Sequence, residues 1–154
     1  MRRAVLGLAM AAGLALPAMA APSLGSPAPS RGSPAAARAA VERYYAALAR
    51  RDYRAAYALW SRGGQASGQS YAAFRAGFAQ TRRTRVRTSA PVDKEGAAGS
   101  SFITVPVDVR AVLTGGRQQH FQGSYVLRRV NDVDGATAEQ LTWHIDSARL
   151  RVVR

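Results

Sequence analysis

Residues 41–60 read VERYYAALARRDYRAAYALW, and this stretch decides the predicted fold. Its apolar side chains recur at i, i+3, i+4 and i+7 on each side of Asp52, a spacing that gathers them on one face of an α-helix. The two sets are Val41, Tyr44, Tyr45 and Leu48, then Tyr53, Ala56, Tyr57 and Trp60. We therefore predict two consecutive helices whose aromatic faces form part of a core.

Polar and glycine residues around these segments indicate the helix boundaries. Asp52 suits the N-cap of the second helix, and Gly63-Gly64 would stop that helix. Ser70 suits the N-cap of a third helix, whose apolar stripe consists of Tyr71, Phe74 and Phe78. The first half of the domain is thus predicted to be helical.

After the third helix the apolar pattern changes to alternation, which is typical of β-strands with one buried face. The alternation covers residues 83–88, 101–113, 120–130 and 141–150, with turns at 114–117 and 131–135. In the longest segment the apolar face consists of Ile103, Val105, Val107, Val109, Ala111 and Leu113. Three helices followed by antiparallel strands predict an α+β fold, with the helices packed on one face of the sheet.

The N-terminal segment has the order of a secretory signal peptide. Residues 1–20 contain a basic start, an apolar run and an A-x-A cleavage motif that ends at Ala20. The run is too short to span a bilayer, which takes roughly 20 apolar residues. Residues 21–34 are rich in Pro, Ser and Gly and predict a disordered linker, so that residues 35–154 form one domain. We expect a periplasmic or secreted bacterial protein with no membrane span after cleavage.

The composition adds constraints on partners and stability. The formal net charge is +13, carried almost wholly by arginine, and it predicts attraction to anionic surfaces or polymers. The chain has no cysteine, so a hydrophobic core and not a disulfide must stabilise it. No nucleic-acid-binding motif is present, so we do not expect nucleic acid as a partner, and the pattern predicts no cofactor and no metal.

The succession of these segments resembles a known superfamily. The order YYAAL, DYRAAYALW, SYAAFRAGF, GSYVLRRV and WHIDSA is similar to that of the nuclear transport factor two, ketosteroid-isomerase-like superfamily over about residues 36–153. The resemblance implies a cone-like α+β barrel, in which a curved antiparallel sheet wraps three helices. It also implies a pocket lined by Tyr44, Tyr45, Tyr57, Trp60, Phe74, Tyr125 and Trp143.

Catalysis of the ketosteroid isomerase type would need two kinds of group in that pocket. One is a carboxylate that acts as general base, and the other is a hydroxyl or protonated acid that stabilises an oxyanion. The tyrosines supply hydroxyls, but the alternation places no acidic residue on the inner face. We therefore predict no catalytic residue.

An alternative polar cluster depends on the strand register. The alternation turns His120 and His144 away from the pocket, but a bulge at Pro106 or Gly123 would reverse the faces. The residues that would then converge inside, as an acid and base pair or as metal ligands, are Asp108, His120, His144 and Asp146.

The remaining feature is a row of arginines on the first predicted strand, formed by Arg82, Arg83, Arg85 and Arg87. Such a row either binds anions or keeps an edge strand from associating. With no base in the pocket, the predicted function is a non-catalytic exported domain that binds a protein partner or an anionic envelope component through this surface. The alternatives are a small isomerase- or dehydratase-type enzyme, or a carrier, for an apolar ring compound in the aromatic pocket. A homodimer stays open, because dimers are common in the resembled superfamily.

Overall fold

A computed structural model describes residues 27–154 of the chain. The predicted signal peptide, residues 1–20, and residues 21–26 of the predicted linker lie outside the described residues. The described part runs through three α-helices and a short 3₁₀ turn before it enters five β-strands. The predicted α+β class and the order of its elements are confirmed.

The helices are α1 (Pro34–Ala49), α2 (Tyr53–Ala58) and α3 (Tyr71–Gly77). The two predicted N-caps are confirmed, because Asp52 accepts a hydrogen bond from the Ala55 amide and Ser70 accepts one from the Ala73 amide. α1 begins at Pro34, the last residue of the predicted linker, because Ser33 caps it and proline suits its first turn.

α2 ends at Ala58, earlier than the predicted stop at Gly63, because the next residues bond to the sheet. The Ile145 amide donates to the Leu59 carbonyl at 2.8 Å, and the Ser61 amide donates to the Ile145 carbonyl at 2.7 Å. These bonds use backbone groups that a longer helix would need, and they hold the end of α2 against the last strand.

The five strands are β1 (Thr81–Thr88), β2 (Val92–Ala97), β3 (Ser100–Leu113), β4 (Gln118–Val130) and β5 (His144–Val152). They form an antiparallel sheet of order β1-β3-β4-β5, with β2 also paired to β3. β1 pairs with residues 107–113 of β3 and β2 with residues 100–104, so the long strand β3 supports both. The sequence analysis missed β2, whose six residues are all exposed and therefore show no buried face.

The inner face of the sheet follows the predicted alternation in β3. All its predicted apolar residues except Leu113, which is half-buried, lie in the core. On the helical side Val41, Tyr44, Tyr45 and Leu48 of α1 are buried against this face. Among residues 27–154, no helix is long and apolar enough to cross a membrane.

A β-bulge in β5 changes which of its side chains face inward. Leu127 pairs with Ile145, whereas the preceding Val126 pairs with Ser147, so Asp146 is an extra residue with no partner. Ile145 before the bulge and Ala148 after it both face the inner side, opposite Leu127 and Tyr125. A strict alternation would have turned Ala148 and Leu150 outward.

Candidate functional site

A cavity of about 390 Å³ lies on the inner side of the sheet, and we call it the aromatic pocket. Its wall combines residues of α1, the segment after α2, the end of α3 and the inner faces of β1, β3, β4 and β5. The lining residues include Tyr44, Tyr45, Trp60, Tyr125, Ala148 and Leu150.

Four of the seven residues expected in a pocket line this cavity: Tyr44, Tyr45, Trp60 and Tyr125. The other three do not. Tyr57 packs edge-on against Tyr71, and its hydroxyl donates to the Gln69 carbonyl at 2.7 Å.

Phe74 and Trp143 lie in the core, behind the wall of the aromatic pocket. Phe74 is buried beside the ring of Tyr57, at 5.2 Å between ring centroids. The indole of Trp143 donates to the Ser33 carbonyl at 3.2 Å and so anchors the start of α1. Helical and strand periodicity identifies such residues as buried, but it does not say which side of the core they occupy.

Two tyrosines form a hydrogen-bonded pair in the pocket wall. The hydroxyl oxygens of Tyr45 on α1 and Tyr125 on β4 lie 2.7 Å apart. Since the pair has two hydrogens and uses one for the mutual bond, the second remains available for an acceptor. The rings of Tyr44 and Trp60 pack edge-on around Tyr125 and fix its position.

Burial keeps these hydroxyls protonated. It raises the pKa of Tyr44 well above its ordinary value; the charge of an ionised Tyr125 adds to the rise, and the nearby indole of Trp60 opposes it. Burial likewise raises the pKa of Tyr45 and of Tyr125, although the hydrogen bond between them partly offsets the rise at Tyr45. At neutral pH these groups are therefore hydrogen-bond donors and not bases.

The cavity wall contains no histidine and no carboxylate from residues 27–154. The chemistry that these side chains offer is thus the stabilisation of charge on a ligand oxygen, without a protein group to accept a proton.

The alternative polar cluster divides into separate parts. Asp108 and His120 meet on the outer face of the sheet, with Asp108 Oδ2 at 2.6 Å from His120 Nε2 and 3.0 Å from Gln122 Nε2. His144 lies on the outer side at the start of β5, and Asp146 occupies the bulge. The predicted bulge positions, Pro106 and Gly123, are both in regular register, so the faces do not reverse there. Among the described residues no group of three or more potential ligands could hold a metal ion.

The arginines of β1 also face outward. Arg83, Arg85 and Arg87 pair with outer-face residues of β3, and together with Arg82 they are exposed and absent from the aromatic pocket.

Sequence analysis missed Ala148 and Leu150 as pocket residues because it did not predict the bulge at Asp146. The segment IDSARL contains neither glycine nor proline, so no local residue signals an irregular strand there. The need for an extra residue becomes visible only when β5 is paired with β4, because only a bulge lets both Ile145 and Ala148 face the apolar side.

Comparison with known proteins agrees with the architecture. No protein-family model and no curated protein matches the chain. Two solved structures from Novosphingobium aromaticivorans share its fold. A provisionally named scytalone dehydratase has a TM-score of 0.55 at 16% identity, over 78% of this chain and 83% of its own. A provisionally named aromatic ring hydroxylase has a TM-score of 0.54 at 14% identity, over 79% of this chain and 92% of its own.

The fold and the pocket define a cone-fold protein with an aromatic cavity under its sheet. The chain shares the fold of these two structures, and the cone-like α+β fold that the resemblance implied is confirmed.

The main functional prediction, a non-catalytic exported domain that binds a protein partner or an anionic envelope component through its arginine surface, is wrong. Both solved structures that share the fold carry enzyme names, which favours the alternative prediction of an enzyme or ligand-binding role. That prediction rested on the absence of a base from the pocket. Tyr44, Tyr45, Trp60 and Tyr125 nevertheless line a cavity of about 390 Å³.

Proposed function

We propose that the aromatic pocket binds an apolar ring compound with a carbonyl or phenolic oxygen, on which the protein acts as a dehydratase- or isomerase-type enzyme. The observation that carries this proposal is the Tyr45–Tyr125 hydroxyl pair in the wall of a cavity of about 390 Å³. Cavities of roughly 300–1,000 Å³ with apolar walls and a few polar groups are typical of small-molecule sites.

The pair would polarise an oxygen of the bound ring. A carbonyl oxygen that becomes an enolate gains negative charge, and a fixed hydroxyl donor in an apolar wall stabilises that charge more than it stabilises the neutral ketone. Because burial holds the pKa of both hydroxyls high, the pair donates a hydrogen bond without losing its proton.

Loss of water from a ring with a β-hydroxy ketone is a reaction that suits these groups. The C–H bond next to the carbonyl breaks, and a water molecule in the open cavity takes the proton. The electron pair moves onto the carbonyl oxygen, which accepts the tyrosine hydrogen bond, and then returns to form the C=C bond. The C–O bond breaks, and the hydroxide that leaves takes up a proton to become water.

The name of one solved neighbour supports this reaction class, and the name of the other supports a ring compound as the ligand. One is named for a dehydratase and the other for a hydroxylase of aromatic rings. At 16% and 14% identity these names suggest a class of compound for the test and do not identify the substrate.

A carrier is the second candidate, and the composition of the wall favours it. No histidine or carboxylate among the described residues lines the aromatic pocket, so the protein would hold a ring compound without transferring its proton.

Turnover of 3-hydroxy-1-tetralone distinguishes the two candidates, since its loss of water gives fluorescent 1-naphthol. For the enzyme we expect 1-naphthol to form faster than in buffer. The double variant Tyr45→Phe, Tyr125→Phe, which leaves neither hydroxyl of the pair, should slow it by about a hundredfold or more, the effect of removing one oxyanion donor. The matched control is Tyr53→Phe, because the Tyr53 ring stacks on Phe78 away from Tyr125.

Saturable binding of 1-naphthol without turnover would establish the carrier instead. If the folded protein shows no turnover and no saturable binding, the proposal is overturned.

Export remains part of the proposal. The order of segments in residues 1–20 supports a periplasmic or secreted location, and detection of the intact, uncleaved chain in the bacterial cytoplasm would contradict it.

A further inference from the structure

A second cavity of about 410 Å³ is lined by the residues that directly follow Trp60 and by the ends of β4 and β5, and we call it the polar cleft. Its walls come from the segment after α2, the end of β4, the loop before β5 and the first residue of β5. Its lining includes Ser61, Arg62, Arg128, Glu139 and His144, and it shares no lining residue with the aromatic pocket.

The cleft carries an excess of positive charge. Arg129 in its wall is engaged, since it donates to Asp132 at 3.2 Å and to the Leu141 carbonyl at 3.3 Å. Within residues 27–154, Arg62 and Arg128 form no ion pair, and Arg128 donates to the neutral hydroxyl of Ser100. Two guanidinium groups in one concave site favour an anion with several oxygen acceptors.

The backbone fixes Arg62 at the edge of this cleft. Its φ is 56°, the left-handed region that costs an ordinary residue about 1 kcal/mol or more. The bond from the Ser61 amide to the Ile145 carbonyl holds one side of the turn. On the other side Gly64, at φ 102°, leaves room for the Tyr57 ring, which would lie 2.1 Å from an added Cβ. The strained position therefore persists because the surrounding packing requires this turn.

His144 adds a group that can bond to a hydroxyl or a protonated oxygen. Its Nδ1 lies 3.1 Å from the Thr142 carbonyl. A carbonyl only accepts, so Nδ1 carries the hydrogen, and Nε2 is the acceptor in the neutral ring. Nε2 lies 3.9 Å from Glu139 Oε1, so these two acceptors stand together on one wall of the cleft.

We propose that the polar cleft is a second binding site, for a small oxyanion that carries a hydroxyl, such as a hydrogen phosphate group, which Arg62 and Arg128 hold and whose hydroxyl donates to His144. This site is concave and lies apart from the outer-face arginines of β1, so it differs from the surface binding excluded above. It is independent of the proposed reaction in the aromatic pocket.

Calorimetric titration of the purified protein with inorganic phosphate and with succinate tests the site, at low ionic strength because salt screens such contacts. We expect saturable binding at one site. Arg128→Met should weaken it by about tenfold or more, the effect of losing a charged hydrogen bond. Phosphate should bind more tightly than succinate, because only hydrogen phosphate has a hydroxyl for His144 Nε2; tighter binding of succinate would exclude that contact.

Two further variants keep the test decisive. Arg62→Gly removes the charge and also suits φ 56°, so it should weaken binding while the fold is retained. Arg85→Met removes the same charge from β1, and affinity should change less than about twofold because Arg85 pairs near Arg110, at the other end of β3 from the position opposite Arg128. Equal loss in Arg85→Met and Arg128→Met, or no saturable binding of either anion, would overturn the proposal.

Discussion

Among single residues, the proposed sites depend on hydroxyl and guanidinium groups whose positions are fixed by neighbouring side chains. Tyr45 and Tyr125 lie 80 positions apart in the chain, yet their oxygens meet at 2.7 Å because α1 packs under β4. The sequence predicted that both rings are buried, since each falls on an apolar face. It contained no signal for their mutual hydrogen bond, which depends on the relative placement of a helix and a strand.

The hydrogen bonds of Asp108 with His120 and Gln122, which form the outer-face network, can be tested by varying the pH. Hydrogen bonds from Gln122 and then His120 lower the pKa of its carboxyl group below the ordinary value, despite partial burial. The ionised form therefore stabilises the fold above the ordinary pKa, and this contribution is lost as pH falls through the lower folded pKa. We predict that the free energy of unfolding falls less steeply toward acid pH in Asp108→Asn than in the wild type.

Urea unfolding at a series of pH values measures this slope. Gln122→Met, which removes the largest contribution to the lowered pKa, should give an intermediate slope. Identical slopes in the wild type and both variants would show that the network does not influence stability.

Among the helices and strands, the pattern of apolar residues predicted the features that depend only on one buried face of the element itself. The three helices, their caps at Asp52 and Ser70 and the inner face of β3 all follow from local spacing. β2 and the bulge at Asp146 do not, because both depend on pairing with a neighbouring strand and not on local apolar periodicity. The bulge has the larger functional consequence, since it turns Ala148 and Leu150 toward the aromatic pocket.

The pairing of β4 with β5 predicts a strict requirement for glycine at one position. A Cβ on Gly123 would lie 1.8 Å from the Arg149 carbonyl oxygen, which is backbone and cannot move without disturbing the pair. We predict that Gly123→Ala lowers the free energy of unfolding by about 2 kcal/mol or more, as severe overpacking does.

Chemical denaturation measures this cost, and Gly96→Ala is the matched control. Gly96 also lies in a strand, and nothing would lie within 4 Å of its added Cβ. A stability change of similar size in the two variants would contradict the proposed close approach of the strands.

In the whole molecule, the cone fold has an aromatic cavity under the sheet and a separate polar cleft between the segment after α2 and the loop before β5. The family resemblance predicted that a pocket exists, and the sequence predicted the absence of a carboxylate on its inner face. The function was harder to predict, because the same aromatic residues can fill a core or enclose a cavity. The cavity of about 390 Å³ that Tyr44, Tyr45 and Trp60 line distinguishes the two cases.

A titration of the protein with 1-naphthol, followed by ligand fluorescence, tests directly whether the aromatic pocket binds a ring compound. The wild type should bind one equivalent saturably. Ala148→Phe should abolish binding, because its ring would occupy the cavity that Ala148 lines. Ser147→Phe is the matched control, since the neighbouring residue faces the outer side opposite Val126. Saturable binding that Ala148→Phe leaves unchanged, or no saturable binding by the folded wild type, would contradict a ligand site in the aromatic pocket.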